Sequence, residues 1–471
     1  NVRRLPQDYP VNHADSPIEP LMYNAVGGST IIWGAHFPRF HPSDFRVRSL
    51  DGVASDWPVS YEQLEPFYDL NDRMMGIAGM AGDPAYPPKA PRQTRPLPLG
   101  KLGDTMAAGF EKLGWHWWPS DAAILTERYD GRDECNNGGS CHIGCARRAK
   151  ASVDVTYWPK AVAKGAVLKD RCRVREVTLG RDGMADGVVY YDINGQVHHQ
   201  KARIVVLACN AVGTPRLLLN STSGLFPNGL ANSSGLVGKK LMLHPLAMAT
   251  GVFDADLEAH KGPTASIIFS HEFYETDLRR GFVRGFSLQV LRSLGPVHVA
   301  NGGFGGHVVP WGERHRHVFS ERFGRTIAMN VMAEDLPEAH NQVSLDPDLT
   351  DSDGIPAPKV TYKLGENSRK MLEFGASRAS EVMVAAGAKE VLVNPLRRGM
   401  AAHLMGTAAM GSNGTKSVVD GRGRCHDVKN LFIIDGSIFA TAGAGNPTST
   451  IQAMALFIAD NMRRDSRHLL D

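Results

Sequence analysis

Apolar residues recur along this chain in two rhythms. Between residues 173 and 207 they run as strands: 173–177, 187–191 and 202–207 alternate or stay apolar, with Arg181-Asp182-Gly183 and Asn194-Gly195 placed as hairpin turns between them. The pattern predicts a three-stranded meander that ends in a buried strand. A second group of strands, at 247–253, 265–269, 285–290, 326–331 and 360–362, predicts a large antiparallel sheet. Helical spacing follows over 367–386, with Met371, Phe374, Ala379 and Val382 among the apolar positions, and again through Ile451, Ala455, Ile458 and Ala459. An earlier helix, 62–70, starts behind Ser60 and carries Tyr and Phe on one face. Stretch 341–347 reads as a turn and the His-rich piece 311–317, with His315 and His317, as a solvated loop.

Two segments share one design. Run 202–207 leads into Ala208-Cys209-Asn210-Ala211-Val212-Gly213-Thr214-Pro215 and a Leu-rich helix. Near the C-terminus, Leu431-Phe432-Ile433-Ile434 closes on Asp435-Gly436. A small-residue loop over 440–445 then leads to Asn446-Pro447-Thr448, where Asn can cap and Pro fits the first helical turn. A strand, a small loop and a Pro-started helix present free backbone N–H groups and a positive dipole end to an anion. Two such units favour a parallel α/β arrangement around an anionic cofactor. Gly27-Gly28-Ser29 adds a place where backbone can approach a flat or phosphorylated ligand closely.

Composition narrows the class. The 471 residues are 42% hydrophobic and 21% charged, with net charge +3, which describes a globular protein of two or three domains. No basic excess points to nucleic acid, and no run of eighteen apolar residues predicts a membrane span. The chain opens at Asn1 without Met or a signal-peptide core, so it is expected to be less than a complete gene product. Among six cysteines, Cys135, Cys141 and Cys145 crowd together, separated by Gly and Asn. Three such thiolates suit an iron–sulfur cluster; a zinc site shared with His142, or a loop of free thiols, are the alternatives. Cys172 and Cys209 are expected as buried thiols, Cys425 has no evident role, and no disulfide framework is expected.

Taken together these pieces resemble the glucose–methanol–choline (GMC) family of flavin oxidoreductases. The resemblance is carried by Val26-Gly27-Gly28-Ser29, by Gly213-Thr214-Pro215, and by Gly235-Leu236-Val237-Gly238 leading to Leu243-His244-Pro245. It continues in His403-Leu404-Met405-Gly406-Thr407 and in Asp435 with Asn446-Pro447-Thr448, in family order from about residue 20 to residue 460. The family's opening strand, GxGxxG turn and helix have no counterpart here and would precede Asn1. The resemblance implies an α/β protein: a Rossmann-like FAD-binding domain over 1–242, a substrate domain on a large antiparallel sheet over 243–395, and a return to the FAD domain over 396–471. It makes His403 the base that takes a hydroxyl proton and Asn446 the residue that orients the substrate oxygen. The backbone at Asn446, Pro447 and Thr448 would face the flavin N1–O2 locus, Asp435 and Gly436 the ribityl and pyrophosphate, and Val174 and Ala208 the adenosine.

The C-x5-C-x3-C spacing just before Ala149-Lys150-Ala151-Ser152 resembles bacterial FAD-dependent sugar dehydrogenases, where it holds a 3Fe-4S cluster. That likeness implies a sugar or glycoside substrate and electrons passed to an acceptor other than oxygen, through a small subunit and a cytochrome. It also implies a periplasmic setting, with the cytoplasm as the alternative. An aliphatic alcohol or sterol oxidase, and a non-catalytic remnant that does not retain FAD, are the other expectations.

Overall fold

The structure, a computed structural model, describes residues 6–293, 295–303, 306–307, 309–399 and 401–465; the opening Asn1 and its neighbours lie outside these. Val205–Leu207 and Leu431–Ile433 pair in parallel, with Val205 opposite Leu431 and Leu207 opposite Ile433. Each is followed by a loop and a helix, Asn210–Asn220 and Thr448–Arg464, as the shared design predicts. The meander is present, but its third strand is Val197–Lys201, not 202–207. The apolar run leaves the meander because pairing with 431–433 buries Val205 and Leu207 in the core, where Leu431, Phe432 and Ile433 also sit. Asn430 pins the junction: Nδ2 donates to the carbonyls of Ala185 and Arg203, at 2.7 and 2.8 Å, and Oδ1 accepts from Ala185 N at 2.9 Å.

The large antiparallel sheet has six strands in the order Glu390–Asn394, Leu246–Val252, Thr326–Ala333, Phe286–Leu291, Ser266–Ser270, Trp118–Pro119. Strand periodicity divides its faces. Ala247, Ala249, Leu288, Val290, Ile327, Met329 and Val331 pack on Met106 and Phe110 of helix Gly100–Leu113 and on Met371 and Val382 of helix Glu366–Ala385. Gly375 permits the close crossing, since a Cβ there would lie 2.3 Å from Val331 Cγ1. The opposite face carries Met248, Gln289, Asn330 and Met332, which look toward the site described below.

Several expectations are corrected. Residues 360–362 do not join this sheet: Pro356–Thr361 pairs with Gln342–Thr350 and with Asn12–Asp15 in a separate three-stranded sheet. Stretch 341–347 is therefore mostly strand, not turn, because Val343 opposite Val360 buries both side chains with Ala211 and Val212 of the helix after residue 209. The His-rich piece enters helix Glu313–Arg322, which buries no residue, so it is solvated but not a loop. Packing also crosses the expected boundary at residue 242, for Gly100–Leu113 and Trp118–Pro119 belong to the six-stranded sheet and its core. All six cysteines are free; Cys209 is exposed and Cys172 half-buried instead of buried. Among the described residues no helix is long and apolar enough to cross a membrane.

Helix Tyr61–Met75 starts at a Ser60 capping box, with Gln63 Oε1 accepting from Ser60 N at 2.9 Å. It docks on the last helix through Tyr68 Oη and Thr450 Oγ1, 2.7 Å apart, and through Asn71 Nδ2 to Gln452 Oε1 at 3.0 Å.

Candidate active site

Asp435 fastens the two strand–loop–helix units together. Its Oδ2 accepts from Thr214 Oγ1 at 2.6 Å and its Oδ1 from Ser437 N at 2.8 Å. Burial raises its pKa, opposed by these hydrogen bonds. Beyond it, the loop over 440–446 is held from outside. Thr441 Oγ1 accepts from Trp57 Nε1 at 2.6 Å and donates to Asp44 O at 2.8 Å; Tyr274 Oη accepts from Ala444 N at 3.1 Å and donates to Asp44 Oδ2 at 2.7 Å. Gly443, at φ +60°, lies where a Cβ would come 3.1 Å from Asp44 Oδ2.

This loop delivers Asn446 to the start of the last helix, but not as its cap. Pro447 is the N-cap and supplies no side-chain hydrogen bond, while Ile451 N makes the helix's opening bond to Pro447 O at 2.8 Å. No side chain caps the first-turn amides, and Ser449 Oγ beside them is buried without a protein partner. The Asn446 side chain is used elsewhere.

A single directional chain of hydrogen bonds passes through it. Gly443 O can only accept, so His244 Nε2, 2.6 Å away, carries a proton. Burial pushes the His244 pKa down to about 4, so the ring is neutral and its Nδ1 is bare. His403 Nδ1 lies 3.0 Å from that nitrogen and must therefore be the donor. His403 is thus the Nδ1–H tautomer with a lone pair on Nε2, which faces Asn446 Nδ2 at 3.3 Å. With its amide nitrogen directed there, Asn446 turns Oδ1 to Gln289 Nε2, 3.1 Å away on the six-stranded sheet. Burial, followed by neighbouring His244 and His36, holds the His403 pKa well below the usual histidine range. A neutral base with a defined tautomer results.

The other expected residues take separate places. Gly27, at φ +99°, and Gly28 form a turn against helix Val153–Ala163, where a Gly27 Cβ would meet Asp154 Oδ1 at 3.0 Å. Ser29 is exposed and its Oγ accepts from Tyr23 N at 3.3 Å. Val174, on the meander, and Ala208, after the parallel strand, are exposed. Gly436 is buried, and a Cβ there would lie 2.6 Å from Leu404 O, next to His403.

The cysteine loop abuts the site. Lys150 Nζ donates to Ile31 O, Trp33 O and Cys141 O at 2.6, 3.3 and 2.5 Å, and His142 Nδ1 lies 3.1 Å from Ile32 O. These bonds dock the loop on the segment that continues to His36, the neighbour of His403. Cys141 is buried and Cys135 and Cys145 half-buried. Burial raises the Cys135 pKa and the nearby Cys141 and Cys145 add to it. No trio drawn from these thiols and His142 has its ligand atoms all within 4.8 Å, a wider arrangement than one zinc ion requires.

Asp83, His116 and His271 do meet that spacing. His116 Nδ1 accepts from His271 N at 3.0 Å, so Nε2 carries the proton and donates to Asp83 Oδ1 at 2.9 Å. That tautomer leaves His116 Nε2 no lone pair for a metal.

Sequence reasoning missed two members of the chain. His244 stands in a motif segment that had been assigned no role; its φ of +49° shows a backbone shaped to aim the ring. Gln289 sits in an ordinary strand pattern with nothing to mark it.

Comparison with known proteins agrees with this architecture. Residues 20–246 and 337–455 match the N-terminal and C-terminal models of GMC oxidoreductases. The chain is 43% identical over 480 residues to 2-methyl-1,2-propanediol dehydrogenase of Mycolicibacterium austroafricanum, covering 100% of this chain and 86% of that one. It is 31% identical to the fructose dehydrogenase large subunit of Gluconobacter japonicus, covering 93% and 80%. The fold is similar to pyridoxine 4-oxidase from Mesorbium loti, with TM-score 0.61 at 15% identity over 96% of this chain and 87% of that one. The chain belongs to the GMC oxidoreductases.

Proposed function

We propose that this protein oxidises a hydroxyl-bearing carbon of a small polyol or sugar with FAD, using His403 as the base, and passes the electrons to an acceptor other than oxygen. The hydrogen-bond chain from Gly443 O to Gln289 carries this assignment, because it presents a bare His403 Nε2 beside an Asn446 amide donor. The residues fit the cofactor: uncapped first-turn amides of the last helix, the buried Ser449 hydroxyl and the buried Asp435 carboxylate are polar groups aligned with the loop over 435–449. Gly27, Gly28, Ser29, Val174, Ala208 and Gly436 complete the set that would hold FAD, together with Pro447 and Thr448. When bound, FAD supplies a two-electron acceptor for hydride.

His403 Nε2 takes the proton of the substrate hydroxyl while the carbon loses hydride, leaving a carbonyl. Asn446 Nδ2 donates to the same oxygen and orients it. Asn446 does not titrate, so its part persists across pH. His244 holds His403 in register and accepts from Nδ1 before and after proton transfer. The enclosure that depresses the His403 pKa also favours release of the proton once chemistry is complete.

The names of the two relatives, a diol dehydrogenase and a fructose dehydrogenase subunit, support a substrate with several hydroxyls. The three thiols are a soft donor set fit for an iron–sulfur centre and lie in the loop docked on the segment that leads to His36, so we assign them as ligands of a 3Fe-4S relay. The test is anaerobic titration of the purified holoenzyme with a diol and a sugar, with iron quantified. Flavin bleaching and about three irons per chain are expected. Bleaching without iron removes the relay; peroxide formation in air makes the protein an oxidase; no bleaching overturns the enzymatic assignment.

A further inference from the structure

One row of side chains crosses the cleft face of the six-stranded sheet. Its register is Met248 opposite Asn330, Asn330 opposite Gln289, and Gln289 opposite Phe269. Directly opposed residues share a face, and contacts show which one. Gln289 Nε2 reaches Asn446 Oδ1 at 3.1 Å and Met332 Sδ at 3.5 Å, and the Phe269 ring meets His36 edge-on with centroids 6.1 Å apart. The row therefore looks at His403 and Asn446.

Two members of the row hold acceptors with nothing to accept. Gln289 is fully buried and Asn330 is 7% exposed, yet Gln289 Oε1 and Asn330 Oδ1 have no hydrogen-bond partner in the protein. The Gln289 orientation is dictated: Asn446 Oδ1 requires its amide nitrogen, which leaves Oε1 as the open end of the chain that begins at Gly443 O. Met248, Met332 and Phe269 around the pair offer no strong donor, and the neighbouring Ser287 hydroxyl accepts from Gln289 Nε2 at 3.2 Å without reaching either carbonyl. Buried carbonyls left without donors are costly, and a site built this way favours whatever brings O–H groups to them.

We infer that Gln289 Oε1 and Asn330 Oδ1 are a hydroxyl-reading subsite: Gln289 accepts from a hydroxyl next to the one being oxidised, and Asn330 from a further hydroxyl along the same substrate. The substrate class is then a vicinal diol or longer polyol, sugars included. The inference rests on the proposed oxidation at His403 and Asn446 for its geometry, since Gln289 is bonded to Asn446.

The probes are 1-propanol, 1,2-propanediol and glycerol. Affinity is measured by calorimetry on the reduced holoenzyme, where no turnover intervenes. Each added hydroxyl should tighten binding by about tenfold. Asn330→Leu should abolish the step from propanediol to glycerol and keep the step from propanol to propanediol. Gln289→Met should abolish the earlier step. Equal affinities across the three alcohols in the unaltered protein overturn the subsite, as does a ladder that survives both substitutions. If a substituted chain fails to fold, the ladder of the unaltered protein alone decides. A ladder in binding without flavin reduction in the oxidised holoenzyme counts against the oxidation and leaves the subsite standing; oxidation without a ladder does the reverse.

Discussion

Two half-buried histidines, His116 and His403, show how similar surroundings lead to different uses. His116 spends both ring nitrogens inside the protein, Nδ1 on His271 N and Nε2 on Asp83 Oδ1. Its cluster includes Tyr86, His41 and His271 in ring contact. His403 spends only Nδ1 on a partner that dictates its tautomer; Nε2 faces an amide that can also serve a ligand. A side chain count would rank the first cluster as the better site, since among the described residues it alone brings three potential metal ligands together. The direction of the hydrogen bonds reverses that ranking. Chemistry belongs where a chain of donors ends open, and structure where it closes.

The contrast can be broken at four points. His403→Ala removes the proposed base, and kcat should fall by about 10³-fold with the flavin spectrum of the holoenzyme intact; a fall under tenfold would remove His403 from the chemistry. His244→Leu leaves the base without its tautomer partner, and kcat should fall by about 10- to 100-fold with KM little changed. His244→Asn, which keeps one acceptor and one donor, should recover part of that loss, whereas a purely packing role would give no such recovery. His116→Leu leaves the His271 amide without its acceptor and the Asp83 carboxylate with only Ala85 N of its two bonds. Thermal unfolding should register a loss of about 1–3 kcal/mol while kcat/KM holds; a loss of kcat comparable to that of His244→Leu would erase the distinction between the clusters.

The smallest effect concerns pH. Burial raises the Asp335 pKa from 3.8 to about 7, against its bonds from Tyr362 Oη, Leu243 N and Ser368 Oγ. The folded state thus binds the extra proton, so Asp335 contributes stability at low pH that is lost as pH rises from about 4 to about 7. His244 acts in the opposite sense: its pKa falls from 6.5 to about 4, so stability is lost as pH drops through that window. The two slopes offset each other. In Asp335→Asn one of the opposing carboxyl slopes is removed, and unfolding midpoints should fall more steeply between pH 6.5 and 4 than in the unaltered protein. An unchanged slope would show that Asp335 does not hold a proton when folded.

Much of the fold is legible in local patterning. The Ser60 cap, the helix at Glu366–Ala385, four strands of the large sheet and the two strand–loop–helix units all follow from local patterning. Such signals survive folding because they report on the backbone and its nearest neighbours. The errors lie where partner choice matters. Run 202–207 has the same apolar character whether it finishes the meander or pairs with 431–433. Val360 has the same propensity in either sheet, and Asn446 was expected to cap a helix that Pro447 caps instead. Strand pairing and side-chain direction are decided by residues tens to hundreds of positions away.

The family, the α/β class, the candidacy of His403 and Asn446 and the crowding of Cys135, Cys141 and Cys145 are all legible in the chain, because each is a matter of residue type at a local spacing. Tertiary structure alone decided that His244 orients His403, that Gln289 continues the chain, and that Asn330 stands beside it. These residues are separated by 159, 157 and 41 positions from His403, Asn446 and Gln289 respectively. A hydrogen bond depends on where two atoms end up and which of them holds the proton, and no local pattern in the chain encodes either.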